Sequence, residues 1–295
     1  MKKIYFLLIV SLLFTSVDLS AQNKVLKRKV AIGRFSNETQ YAKSVFYDKD
    51  NDPMGKQAAD ILAARLASTD KFLLLERQDM DKITEEMKTN NASLKAIGAD
   101  FLIIGSITEY GRKTIGTDNV FSTKKEQIVE AGVSIRLVDV STGLIIFSGE
   151  AKGEAIAENK QVMGIGKTAD FDATLSDKAI SAAISKLVEN IINKCMDNQW
   201  KAYFLSAEDN TFFISGGKSQ GITMGDVFDV FENGKKVKNP QTGIEIELPG
   251  KKIARIKVEQ TIGTNINDEI SIVTFVDGNI DVTKLDKYYI TEIKN

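Results

Sequence analysis

The 295-residue sequence contains no histidine, one cysteine and only three prolines. The lack of histidine removes the commonest general base, the commonest zinc ligand and every Ser-His or Cys-His nucleophile pair. Cys195 has no intramolecular disulfide partner, and its place at the end of a helical pattern predicts a small buried residue rather than a reactive thiol. The acidic residues form no spaced cluster such as an EF-hand loop. We therefore expect no catalytic residue, no metal site and no cofactor.

Charges of the two signs nearly cancel, because 39 Lys and Arg residues are matched by 40 Asp and Glu residues. Proteins that bind nucleic acid carry a basic excess or a basic patch, and this sequence has neither. We expect no nucleic-acid partner.

The N-terminal segment has the layout of a secretory signal peptide. Lys2 and Lys3 precede the apolar run IYFLLIVSLLFTSV, and Ser20 and Ala21 supply small residues at the cleavage site. The run is short for a membrane span. No cysteine stands near the cleavage site to carry a lipid. The sequence predicts a signal peptide over residues 1–21 and an exported protein without a lipid anchor.

Residues 22–198 alternate between short apolar strands and helical patterns, which is typical of an α/β fold. The unbroken apolar run within 98–110 predicts a strand that is buried on both faces. Long alternating strands follow at 129–139 and 141–155, and a helix is predicted where apolar residues recur every fourth position from Leu175 to Ile191. We expect a mixed sheet with flanking helices.

From residue 199 the pattern changes to short strands separated by turn signals such as SGGKSQG, ENGK and VDGN. Strand-type segments include TFFIS, VFDVF, KIARIKV and KYYITEI. This pattern predicts a small all-β, barrel-like domain over residues 199–295.

The stretch GIGKT, residues 164–168, is similar to the second half of a phosphate-binding loop. Gly166, Lys167 and Thr168 fit the pattern Gly-x-x-x-x-Gly-Lys-Ser/Thr, but Gln161 stands where the first glycine is needed, and no apolar strand precedes it. A nucleotide-hydrolysing enzyme built on this stretch is the alternative from another functional class. We expect no such activity.

Four blocks of the first part resemble, in this order and spacing, the CsgG family of curli production and transport components. They are KVAIGRFSNET (29–39), FLLLERQDMDKITEE (72–86), GADFLIIGSITEY (98–110) and VSIRLVDVSTGLIIFSGEAKGE (133–154), within residues 28–195. The tail is similar to the C-terminal domain of the flagellar assembly protein FlgT through ISGGKSQGITMGDVFDVF, NPQTGIEI and KIARIKVEQ.

The CsgG resemblance implies a fold like that of the TolB N-terminal domain and no enzyme activity. It implies a protein of the periplasm, or of the periplasmic face of the outer membrane, of a Gram-negative bacterium. Its role would be to assist the assembly or export of surface structures by self-association, as a ring or another oligomer, and by contacts with envelope proteins. Two alternatives stay open: a subunit of an outer-membrane secretion channel with a shared β-barrel pore, and a regulator that binds a cell-wall synthase.

The channel alternative depends on residues 111–132 and 153–173, which match the two membrane hairpins of the channel subunits. A membrane strand needs about 9–11 residues with every second one apolar, whereas these stretches contain STKKEQ and Lys167. We expect two mobile, water-exposed loops and, at most, peripheral contact with the outer membrane. The motifs ER (76–77), GAD (98–100) and DVSTG (139–143) are expected to form turns and ion pairs.

Overall fold

The computed structural model describes residues 25–40, 52–89, 97–119, 122–162, 174–209, 211–241, 243 and 245–293. A five-stranded mixed sheet, here called the first sheet, has the strand order β2-β1-β3-β4-β5. β1 pairs in parallel with β2 and β3, whereas β3–β4 and β4–β5 are antiparallel. These strands are β1 (Arg28–Asn37), β2 (Phe72–Leu75), β3 (Phe101–Asn119), β4 (Ser122–Asp139) and β5 (Ile145–Val162).

In the described part of the chain, three helices accompany the first sheet: α1 (Pro53–Ala67), α2 (Met80–Thr89) and α3 (Thr174–Asp197). α1 begins at Pro53 because the Asp52 carboxylate accepts a hydrogen bond from the Gly55 amide at 2.9 Å and a proline suits the first helical position. α1 and α3 pack beside each other on one face of the sheet; α1 contributes the fully buried Leu62 and Leu66 to its core, and α3 contributes fully buried isoleucines such as Ile180 and Ile184. The predicted mixed sheet with flanking helices is confirmed.

Gly153 of β5 fixes how closely α3 approaches the sheet. A Cβ atom at this position would lie 2.1 Å from the Ala179 carbonyl oxygen and 2.4 Å from the Ala183 amide nitrogen. Both are backbone atoms of α3, which cannot move aside as a flexible side chain would. Only glycine permits this helix–strand contact.

α1 and α3 cover one face of the sheet. Along β3, Phe101, Ile103 and Ile107 are buried under the helices, while Leu102 and Ile104 on the other face are partly exposed. The expectation that this strand is buried on both faces is therefore wrong. The run of consecutive apolar residues supplies one buried face and one half-open face.

A second, all-antiparallel sheet of seven strands has the order β6-β14-β9-β12-β13-β8-β7. β10 (Lys236–Lys238) and β11 (Glu245–Glu247) form a separate two-stranded hairpin. The predicted segment TFFIS is β8, without a shift at either end. The strands of the seven-stranded sheet are β6 (Lys201–Ala202), β7 (Phe204–Glu208), β8 (Thr211–Ser215), β9 (Val227–Glu232), β12 (Lys251–Ile262), β13 (Ile270–Gly278) and β14 (Tyr288–Glu292).

The second sheet is nearly closed. β6 pairs with β14 and β7 pairs with β8, and only Tyr203 separates β6 from β7. One extended stretch of chain therefore joins both ends of the strand order. The sheet surrounds a core that includes Trp200, whose ring lies 5.3 Å from that of Phe228. This agrees with the expected barrel-like, all-β region.

Arg28 joins the two sheets. Its guanidinium donates to the Asn198 carbonyl oxygen through Nε and Nη2 at 3.2 and 3.0 Å, to the Leu26 carbonyl oxygen at 2.8 Å and to the Glu292 carboxylate at 2.5 Å. Leu26, just before β1, is buried in the core of the second sheet. The predicted domain boundary between residues 198 and 199 stays a prediction. Leu26 comes before this boundary in the sequence but packs in the core of the second sheet, which follows it.

Candidate interaction surface

The face of the first sheet opposite α1 and α3, here called the open face, is partly exposed along β3, β4 and β5. Cross-strand pairing sets its rows, because residues directly opposite each other point to the same side. Ile104 pairs with Arg136, and Arg136 pairs with Ser148; in the next row Ser134 pairs with Glu150. The open face is thus mixed in polarity, unlike the apolar face beneath the helices.

One end of the open face is apolar and exposed. Val140, Leu144 and Ile145 are 49%, 64% and 54% exposed, and we call these three residues the apolar corner. They flank a turn in which the Asp139 carboxylate accepts hydrogen bonds from the Ser141 amide at 2.8 Å and hydroxyl at 2.6 Å. Exposed apolar side chains that lie together are typical of interaction sites.

The other end of the open face is charged, and two of its carboxylates have lysine partners. Lys152 forms an ion pair with Glu109 at 2.5 Å, and Lys113 lies 3.8 Å from Glu130. The Glu109 carboxylate raises the pKa of Lys152 through a hydrogen bond and charge attraction. Glu109, Glu130 and Lys152 border a depression of about 480 Å³ that Lys186 of α3 also lines.

β5 is an edge strand, since it is last in the strand order. The Lys186 ammonium donates to the Lys152 carbonyl oxygen on this edge at 2.6 Å. Other outward-pointing backbone groups of β5 have no neighbouring strand among the described residues. Unpaired strand edges of this kind are ready-made docking positions for another chain.

The motifs that the sequence singled out hold local structure together. The Glu76 carboxylate accepts from three consecutive backbone amides that precede α2, at 2.6 to 3.1 Å. Asp100 accepts from the Lys29 amide at 2.8 Å, and Asp139 holds its turn. Cys195 is fully buried, and burial raises its pKa to about 12. GIGKT lies outside the described residues.

The stretches predicted as loops are strands as far as the structure describes them. Residues 111–119 pair with 122–130, and 122–132 pair in turn with 152–162, so that β3, β4 and β5 form a three-stranded ribbon. The expectation of two mobile loops is wrong for these residues, and 163–173 lie outside the described part. Local sequence does not predict the ribbon, because cross-strand pairing that continues from the buried parts of β3, β4 and β5, and not local apolar content, stabilises it.

The part of the chain that the structure describes contains no helix long and apolar enough to cross a membrane. Nor does this part bring three acidic or cysteine side chains together as metal ligands.

Comparison with known proteins gives a match over most of the chain. A family model described as "Curli production assembly/transport component CsgG" matches residues 14–224. The protein "Putative lipoprotein NMB1126/NMB1164" of Neisseria meningitidis serogroup B is 30% identical over 179 residues, which cover 60% of this chain and 80% of that protein. The family match runs past residue 195, where the resemblance was expected to end.

Two solved structures are similar at low levels. The hypothetical protein CT253 from Chlamydia trachomatis has a TM-score of 0.33 and 15% identity, over 58% of this chain and 99% of that chain. A structure described as a PelC dodecamer from Paraburkholderia phytofirmans has a TM-score of 0.29 and 18% identity, over 58% of this chain and 90% of that chain.

Proposed function

Because the chain belongs to the CsgG family of curli production assembly/transport components, we propose that it is a non-enzymatic, exported envelope protein that assists the assembly or export of surface structures. It does so by binding further copies of itself and other envelope proteins. The single observation that carries this proposal is the open face, which ends in the exposed apolar corner at Val140, Leu144 and Ile145.

The apolar corner supplies a driving force for association. Fully burying a valine, leucine or isoleucine side chain stabilises by about 1.5–3 kcal/mol, and each of these three residues is about half exposed. Covering all three therefore contributes about 2–4 kcal/mol per contact. That energy holds subunits together only when other contacts are made at the same time, as in a closed ring.

The charged end of the open face does not oppose association. Glu109 and Glu130 each have a lysine partner within the same subunit, so a neighbouring subunit meets these two carboxylates already paired. When a neighbouring subunit partly covers an ion pair, each charge keeps its partner, and no unpaired charge is buried in the interface. If the open face of one subunit binds a different surface of the next subunit, the same contact repeats from subunit to subunit until the ring closes.

Light scattering on a sizing column tests the proposal, because it measures the mass of the mature protein in solution. We expect an oligomer, and we expect Leu144→Glu and Ile145→Glu each to shift the mass toward the monomer by placing a charge in the contact. Val276→Glu is the matched control, since Val276 is 59% exposed on the second sheet. A wild-type protein that stays monomeric at every concentration contradicts the proposal.

The paired ribbon of β3, β4 and β5 keeps the secretion-channel subunit as a second candidate. Its described outer positions alternate in character, since Ile115 and Ile156 are exposed beside the charged Lys113 and Glu126. Such a ribbon offers lipid no continuous apolar face. Ion conductance across a bilayer by the purified protein would favour the channel; extraction with the soluble fraction and no conductance would favour the peripheral role.

A further inference from the structure

A two-stranded hairpin stands apart from the seven-stranded sheet. Its strands β10 and β11 pair only with each other among the described residues, and we call these two strands the arm. All six of their residues are exposed. Because an isolated two-stranded hairpin is only marginally stable in water, any strand that adds to one of its edges stabilises the arm.

One face of the arm is apolar. Val237 of β10 pairs directly with Ile246 of β11, so both side chains point to the same side. They are 40% and 46% exposed. Apolar side chains that lie together and face water are typical of a surface that another molecule covers.

The other side chains give the two strands opposite charges. Lys236 and Lys238 belong to β10, and each stands opposite a glutamate of β11, Glu247 or Glu245. Within the described part of the chain, none of these four side chains forms an ion pair or a side-chain hydrogen bond. Glu247 lies close enough to Tyr289 that its charge, after burial, raises the pKa of that phenol. Each strand therefore presents charges of one sign to solvent.

The outer edges of both strands lack a neighbouring strand among the described residues. Backbone groups in an antiparallel ladder point alternately to the two sides, so each outer edge keeps donors and acceptors for a partner. Charge decides which partner fits. Two β10 edges would set lysines against lysines, and two β11 edges would set glutamates against glutamates. A β10 edge beside a β11 edge instead sets lysines against glutamates and Val237 against Ile246.

We propose that the arm binds the arm of a second copy of this chain head to tail, with the outer edge of β10 beside the outer edge of β11. The contact repeats the register inside the arm, so that each lysine of one copy lies opposite a glutamate of the next. Two different surfaces meet, as in the contacts that build rings. The inference rests on the proposed self-association, because three residue pairs bury too little surface to hold two copies together without a second contact.

A strand from another protein is the competing occupant. A peptide that adds to the β10 edge needs acidic residues, and a peptide that adds to the β11 edge needs basic ones. A second copy of the arm carries one strand of each kind at the required spacing. It can therefore satisfy either edge and leave its own other edge for a third copy.

Cross-linking between single-cysteine variants of the full mature chain tests the proposal. Val237→Cys and Ile246→Cys each place a thiol at the centre of one edge, and the fully buried Cys195 does not compete for a short bis-maleimide reagent. We expect cross-linked dimers when the two variants are mixed, and about tenfold fewer when either variant is alone. Val276→Cys mixed with Ile246→Cys is the control, because Val276 is 59% exposed on β13, outside the arm.

An exchange of charges between the two strands separates this contact from random collision. The variant with Lys236→Glu, Lys238→Glu, Glu245→Lys and Glu247→Lys keeps opposite charges within each arm, so the hairpin keeps its own pairing. Cross-linking between two charge-exchanged copies should equal that between two copies with the original charges. Cross-linking between an exchanged and an original copy should fall about tenfold, because like charges then face each other.

Other results overturn the proposal. Equal cross-linking of each cysteine variant with itself indicates a symmetric or random contact, and cross-linking that ignores the charge exchange removes the charged pairs as its basis. No cross-link in any mixture removes a second copy as the occupant. An oligomeric wild type that gives no mixed cross-link removes the arm contact and leaves the proposed self-association in place, whereas a monomeric wild type contradicts both.

Discussion

Replacing Arg28 by methionine tests whether one side chain holds the two sheets together. The Arg28 side chain is 4% exposed, and it makes four hydrogen bonds to acceptors on three separate segments. Methionine has a similar length but no donor, so that Arg28→Met leaves the Leu26 and Asn198 carbonyl oxygens and the Glu292 carboxylate without this partner. The perturbation removes the bonds and keeps most of the volume.

The expected cost follows from the burial of the two partners. Removing one member of a fully buried ion pair costs about 3–5 kcal/mol. Glu292 is 27% exposed and still accepts from the Trp200 amide at 3.2 Å, so water and this amide satisfy part of its charge. We therefore expect Arg28→Met to lower the free energy of unfolding by about 2–4 kcal/mol. Arg28→Lys keeps the charge but loses the planar fork, and should cost about 1–2 kcal/mol.

Urea unfolding followed by two signals provides the assay. Trp200 is the single tryptophan and lies in the core of the second sheet, so its fluorescence reports that sheet, while far-ultraviolet circular dichroism reports the whole chain. The two curves should coincide in the wild type and separate in Arg28→Met. Arg65→Met is the matched control, because Arg65 is exposed and makes one side-chain bond, to Ser181 at 2.9 Å. A loss below about 0.5 kcal/mol in Arg28→Met, within the range of ordinary surface changes, would refute the reasoning.

Three further predictions concern single positions. Gly153→Ala should lower the free energy of unfolding by about 2–3 kcal/mol, because its Cβ would meet backbone atoms of α3, whereas Gly111→Ala, with no atom within 4 Å, should be neutral in thermal unfolding. Since burial raises the pKa of Cys195 to about 12, a thiol reagent at pH 8 should modify it only after unfolding; rapid modification of the native protein would contradict this. Burial acts to raise the pKa of Asp229, but its two cationic partners, Lys252 and Arg255, lower it overall. The resulting stabilisation is present above the ordinary carboxyl pKa near 4 and is lost as pH falls through the lower folded value, so Asp229→Asn should cost about 1–2 kcal/mol at pH 7 and much less near pH 2. An equal cost at both pH values in urea titrations would rule out the ion pairs as its cause.

Periodicity predicted the elements whose burial is regular. The apolar residues that recur from Leu175 to Ile191 lie in α3, and the alternation over 129–139 lies in β4. In both segments each apolar position faces the same core, so local sequence carries the whole signal.

Periodicity did not predict the charged parts of β3, β4 and β5 that form the ribbon. Lys113 pairs with Ile128, which is buried, and Ile128 pairs with Ile156, which is half exposed. No face of the ribbon is regularly apolar, so nothing local marks it as a strand. Its register comes from the hairpin, which continues the pairing that begins in the buried part of β3 and β4.

The candidate surfaces depend on register even more strongly. The sequence predicts Leu144 and Ile145 within the hairpin segment 141–155, but it does not predict that both side chains are exposed at the corner of the sheet. Phe231 and Tyr289 are far apart along the chain, and only the pairing of β9 with β14 brings their rings together. The sequence shows that the segments VFDVF and KYYITEI contain aromatic residues, but it does not show which of these residues lie opposite each other in the sheet.

The contact between Arg28 and Glu292 also sets an order of events during folding. The two residues are 264 positions apart in the sequence, so this bond closes a loop that contains all strands and helices from β1 to β14. Synthesis delivers Arg28 long before Glu292, and contacts of such long range form slowly because of the entropy of closing the loop. Leu26 consequently has no core to enter until β14 has paired. In a chain that is still being made, Leu26 and Arg28 therefore stay uncovered, and they become buried only when β14 has paired.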